Sequence, residues 1–95
     1  MMKILITGGG GQLATALFRK LNEDFHVLSY SKETLDVCNL QLVRHRFAAD
    51  QPRYIFHCAA YTAVDECEKQ PNKAFLVNTL GALNVAWATR EVGAG

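Results

Sequence analysis

Cysteine is scarce in this sequence: Cys38, Cys58 and Cys67 are odd in number and lack C-x-x-C spacing, which argues against a disulfide framework or a zinc site and for reduced thiols. Charge of one sign is equally scarce. Ten basic side chains stand against nine acidic ones, with no basic run and no aromatic-basic interleaving, so nucleic acid and anionic membrane surfaces are not expected partners. Apolar runs are too short to cross a bilayer, and the stretch before the glycines is too brief for a signal peptide, so a cytoplasmic protein is expected. Asp65, Glu66 and Glu68 read as favourable acids near a helix start rather than as an acid/base pair or metal cluster, so no metal site is expected. Repeats are absent, and the only low-complexity segment is a run of four glycines. Ninety-five residues make one domain, of a size that buries only about two thirds of the surface its unfolded chain exposes.

What is present is organised around Lys3 to Leu17, KILITGGGGQLATAL. Ile4, Leu5 and Ile6 form a short unbroken apolar run, right for a central parallel strand covered on both faces. After the glycines, Leu13, Leu17 and Leu21 recur at helical spacing with Ala14 and Phe18 beside them, and Arg19 and Lys20 sit where cations suit the helix dipole. Strand, glycine turn and helix follow without a gap. This is the context of a phosphate-cradling loop, because free N–H groups at a helix start point at the anion and glycine lets the backbone come close. Two registers fit: Gly9, Gly11 and Ala14 satisfy G-x-G-x-x-A, and Gly8, Gly11 and Ala14 satisfy T-G-x-x-G-x-x-A. The second is preferred, since it puts the first glycine directly after the strand.

His26 to Ser31 reads as a second strand whose far end falls about twenty residues past the glycines, where an NAD-specific Rossmann domain places an acid on the ribose hydroxyls. Here that end is Ser31-Lys32, a hydroxyl and a cation that suit a 2′-phosphate, although Glu33 competes and a solvated loop lysine is the alternative. Thr34 to Val37 reads as a short third strand; its Asp36 either contacts an adenine or forms a turn. Asn39 is a good N-cap for a helix over Leu40 to Asp50, with Leu40, Val43 and Phe47 buried and Pro52 as its stop. Tyr54 to Ala60 is a second continuous apolar run, read as the strand beside the first. His57 within it reads as a hydrogen-bonded core histidine. Ala59 and Ala60 are small enough either for close approach by a cofactor or for tight packing.

The expected fold is therefore α/β, a Rossmann-like parallel sheet of strand order 3-2-1-4 with helices on both faces. Its crevice would lie between the first and fourth strands, with Gly8 to Gly11 facing Ala59 to Thr62. Pro71 opens a last helix over Asn72 to about Val92, ended by Gly93. One face runs Ala74, Asn78, Gly81, Val85, Ala88 and Val92; the other runs Leu76, Leu80, Leu83 and Trp87. Only one can lie on the sheet, so the leucine and tryptophan face is a candidate for self-association. Asn78 needs a hydrogen-bonding partner, with a bond to a nearby strand end shaping the crevice as the preferred account.

TGGGGQLA, LDV, CAAYTAVDECE and VNTLGALNVA together resemble the N-terminal part of the dTDP-4-dehydrorhamnose reductases, a branch of the extended short-chain dehydrogenase/reductases. The likeness covers essentially the whole chain. It implies an NADP(H) site, with NAD(H) as the alternative, in which Gly8, Gly11, Gln12 and Leu13 form the pyrophosphate loop and Asp36 and Val37 contact the adenine. Ala59, Ala60 and Tyr61 would wall the ribose and nicotinamide, with Asn78 near the cofactor. It further implies hydride reduction of the C4 ketone of dTDP-4-dehydro-rhamnose for surface polysaccharide, as a cofactor-binding domain over residues 1–95 without the substrate domain. A nucleotide-sugar partner is then expected only in a full-length parent. The resemblance has departures: Ala14 is in the third glycine's place, His57 replaces the common asparagine, and an acid used by some members for a magnesium-linked dimer is absent around Ala14 to Ala16. No Tyr-x-x-x-Lys occurs, since Tyr30, Tyr54 and Tyr61 are followed four residues later by Thr34, Cys58 and Asp65, so no catalytic residue is assigned and an inactive chain is expected. A non-catalytic dinucleotide-binding or interaction module, or a fragment of a related epimerase or dehydratase, is the alternative.

Overall fold

A computed structural model of the chain describes residues 1–59 and 71–95. The elements run β1 (Lys3–Thr7), α1 (Gln12–Leu21), β2 (His26–Tyr30), α2 (Leu40–Asp50), β3 (Tyr54–His57) and α3 (Pro71–Glu91). All pairings are parallel and the sheet order is β2-β1-β3, with Leu5 opposite both Leu28 and Ile55. The apolar run of β1 thus forms the central strand, where Ile4, Leu5 and Ile6 are all buried. Alternation along β1 sends Ile6 to a cluster with Ala14 of α1 and Val27, and Leu5 to a cluster with Val43 and Phe47 of α2 and Val85 and Ala88 of α3. Helices therefore cover both faces.

The sheet has three strands among the described residues, not the four expected, because Thr34 to Val37 is not a strand. Its backbone is satisfied locally: Thr34 and Leu35 donate to the Ser31 carbonyl, and the Asp36 carboxylate accepts from Cys38 N at 3.0 Å. Asp36 thus adopts its turn-forming role. Leu35 and Val37 are buried while Asp36 is exposed, so an irregular segment plugging the core carries the period-two pattern of a strand.

Among the described residues β3 lies beside β1, as expected, and forms the edge of the sheet, with Tyr54 and Phe56 exposed. In α1 the buried residue is Ala14; Leu17 and Leu21 are half-buried and Leu13 is exposed. By contrast, α2 follows its sequence closely. The Asn39 side chain accepts from Leu42 N at 3.1 Å, Val43 and Phe47 are buried while Leu40, at the first turn, is only half-buried, and the helix ends at Gln51 in the left-handed region just before Pro52. Gly95 exchanges hydrogen bonds with the edge strand, Ile55 N donating to its carbonyl and its own N–H donating to Arg53 O. The acids read near a helix start, Asp65, Glu66 and Glu68, lie outside the described residues. No helix among the described residues is long and apolar enough to cross a membrane.

Candidate functional site

The loop after β1 is held between the ends of the other two strands. Gly8 has φ +72°, and a Cβ there would sit 2.5 Å from Ala59 N, so both conformation and space require glycine. A Cβ on Gly9 would meet Ser29 Oγ at 2.6 Å, and Gly9 N donates to Tyr30 O at 2.7 Å. Gly11 differs: it is the N-cap of α1 in extended conformation, and a Cβ there would meet nothing closer than Gly8 O at 3.4 Å. No side chain caps this helix start, so the N–H groups of its first turn are left without a side-chain cap.

These glycines form one wall of a cavity of about 310 Å³ at the carboxyl ends of the strands. Of the residues singled out from the sequence, the cavity gathers Gly8, Gly11, Lys32, Asp36, Val37, Ala59 and Asn78. Ser31 does not line it; its hydroxyl pairs with Thr34 Oγ1 at 3.2 Å, bracing the turn that presents Lys32. Gln12 and Leu13 also stay off the wall, exposed at the start of α1. Ala60, Tyr61 and Thr62 lie outside the described residues.

The cavity also takes in Gly9, Glu33, Leu35, Cys38, Cys58 and Val77. Of these, the sequence points to Gly9, through the alternative G-x-G-x-x-A register, and to Glu33, as a competitor of Lys32. Cysteine spacing speaks to redox and zinc chemistry but says nothing about whether a thiol lines a cleft. Burial pushes both thiols above their ordinary pKa, with Asp36 adding to the effect on Cys38, so they stay protonated near neutrality. No cluster that could hold a metal ion occurs among the described residues.

The cavity floor is pinned by Thr7, fully buried at the end of β1. Its Oγ1 accepts from Cys58 N at 3.1 Å and Ala59 N at 3.3 Å, and lies 2.8 Å from His57 Nδ1. Thr7 Oγ1 and His57 Nδ1 share one hydrogen, and which of the two donates it follows from the tautomer of the ring. His57 is hydrogen-bonded as expected, but it belongs to an exposed edge strand and not to the core. Its Nδ1 edge is turned in on Thr7, and that local desolvation lowers the imidazole pKa below its ordinary 6.5.

The family model described as "RmlD substrate binding domain" matches residues 2–95. The spore coat polysaccharide biosynthesis protein SpsK of Bacillus subtilis (strain 168) is 39% identical over 99% of this chain, and the dTDP-4-dehydrorhamnose reductase of Aggregatibacter actinomycetemcomitans is 37% identical over 93%. The chain spans about a third of each, 34% and 31%. In three dimensions it is similar to the dTDP-4-dehydrorhamnose reductase from Bacillus anthracis str. Ames in complex with NADP, with a TM-score of 0.91 and 40% identity over 99% of this chain and 34% of that one. On a match that runs from residue 2 to residue 95, the chain belongs to the RmlD family.

Proposed function

We propose that this chain is the cofactor-binding portion of a dTDP-4-dehydrorhamnose reductase and that its crevice takes NADP(H), with NAD(H) as the alternative occupant. The glycine loop carries the reading: Gly8 and Gly9 are fixed by contacts within the fold, whereas Gly11 has room for a side chain, so its lack of one serves whatever enters the crevice. The residues present fit a dinucleotide. Uncapped N–H groups at the start of α1 suit a pyrophosphate, and the Lys32 ammonium suits a 2′-phosphate, with Glu33 beside it in opposition. Leu35 and Val37 offer apolar surface to an adenine, with Asp36 between them, and Ala59 and Asn78 line the crevice opposite the glycines. Ala60 and Tyr61 would continue that wall toward the nicotinamide. When bound, the dinucleotide supplies the hydride that reduces the C4 ketone of dTDP-4-dehydro-rhamnose in such reductases. Without Tyr-x-x-x-Lys, this stretch binds and orients the cofactor and excludes water, but supplies no proton donor.

Calorimetric titration with NADPH and NADH tests this. Gly11→Val should fold and lose dinucleotide binding, because its Cβ fits the protein but blocks the approach of the pyrophosphate. Unchanged affinity in a folded variant would remove the glycine loop as the site. Lys32→Ala should weaken NADPH by up to about 1–2 kcal/mol, and NADH less. Equal losses would sink the 2′-phosphate contact.

A further inference from the structure

The segment Leu35 to Cys38 lines the crevice yet belongs to no strand, so no sheet ladder holds it in place. It is held from behind by α3, at three positions spaced to share one face of that helix. Val77 O accepts from Cys38 Sγ at 3.6 Å. Gly81 lets the helix close on Val37, where a Cβ would sit 2.7 Å from Val37 Cγ2. Asn84, buried at 7% exposure, donates from Nδ2 to Val37 O at 2.9 Å. Asn84 itself lines no part of the cavity.

From this geometry we infer that Asn84 is a positioning residue that sets the crevice's affinity for the adenosine half of its ligand by fixing Val37. The inference rests on the dinucleotide reading of the crevice. A buried carbonyl left without its donor must find another, and the only freedom Val37 has is to move with its segment. The glycine loop is bonded to β2 through Gly9 N and to α1 through the Gly11 carbonyl, and neither bond involves Asn84. The contact should therefore matter for adenosine and not for the bare phosphates.

The experiment uses the whole 95-residue chain with two probes, ADP and inorganic pyrophosphate, by calorimetry, alongside amide hydrogen exchange. Two variants are compared with wild type. Asn84→Asp replaces the donor by an acceptor of the same shape. Gly81→Ala, which favours the helix and removes no polar group, pushes on Val37 from the same side and carries the test if the first variant fails to fold. In each folded variant, ADP affinity should fall about tenfold, the order expected for one lost hydrogen bond, with pyrophosphate affinity unchanged. Exchange should quicken at Leu35, Cys38 and Asn39 while Ile4 to Ile6 keep their protection. Equal losses for ADP and pyrophosphate, or ADP affinity unchanged, would overturn this inference while leaving the crevice reading intact. A folded wild-type chain that binds neither probe would overturn the crevice reading and this inference with it.

Discussion

The two long faces of α3 invert the usual relation between size and burial. Ala74, Gly81, Val85 and Ala88 are buried, while Leu76, Leu80, Leu83 and Trp87 are 47–65% exposed. Small side chains let the helix come down onto Leu5, Val37 and Phe47, and close approach is what the fold selected on that side. The same helix is tied to α2 by the two-point pairing of Arg44 with Glu91. Hydropathy alone would have turned the leucine face inward. The difference teaches that packing distance, set by the smallest residues, decides a helix's orientation before its greasiest residues do.

The largest effect should come from spoiling the close approach. Ala88→Leu forces extra atoms into a fully buried position and should cost about 1–3 kcal/mol, read as a lowered thermal midpoint. If stability is unaffected, the small face is not packed as described. On the opposite face, Leu80→Gln combined with Leu83→Gln should change stability by less than about 0.5 kcal/mol per site, since these side chains are exposed. We propose that this face mediates self-association, so sedimentation should show the double variant shifted toward monomer; an unchanged distribution would retire the idea. The smallest effect lies off both faces. The lowered pKa of His57 means the folded state binds its proton less readily than the unfolded chain does. Its contribution is fully present above about pH 6.5 and is lost as pH falls through that value toward the folded pKa. His57→Asn should flatten this part of the profile, and an unaltered acid limb would assign it to other groups.

Much of the fold was legible because it repeats simple periods. The run Ile4 to Ile6, the glycines and the helical spacing after them define β1, the loop and α1. Asn39 and Pro52 bracket α2 to within a residue. Thr34 to Val37 was not legible, because burial that alternates along an extended segment looks the same whether the segment bonds to a sheet or to its own turn. Gly11, Lys32, Asp36 and Asn78 could be placed at the crevice from spacing, but Ser31 faces its own turn, one residue being enough to reverse a side chain. Asn84 was missed although its signal was present. It stands three residues after Gly81 and four before Ala88, squarely on the small-residue stripe, where a polar side chain must be buried with a partner.

The proton arrangement at Thr7 makes His57 an observer. Because its Nδ1 is bonded to a buried hydroxyl that also holds Cys58 N and Ala59 N, one tautomer should prevail, and the two ring nitrogens should give separate, well-resolved signals in a nitrogen-15 NMR spectrum. Any motion of the crevice floor that frees Thr7 lets the ring exchange tautomers, and the two signals then converge. A single natural side chain on an exposed edge thereby becomes a label-free gauge of whether the floor between β1 and β3 is closed.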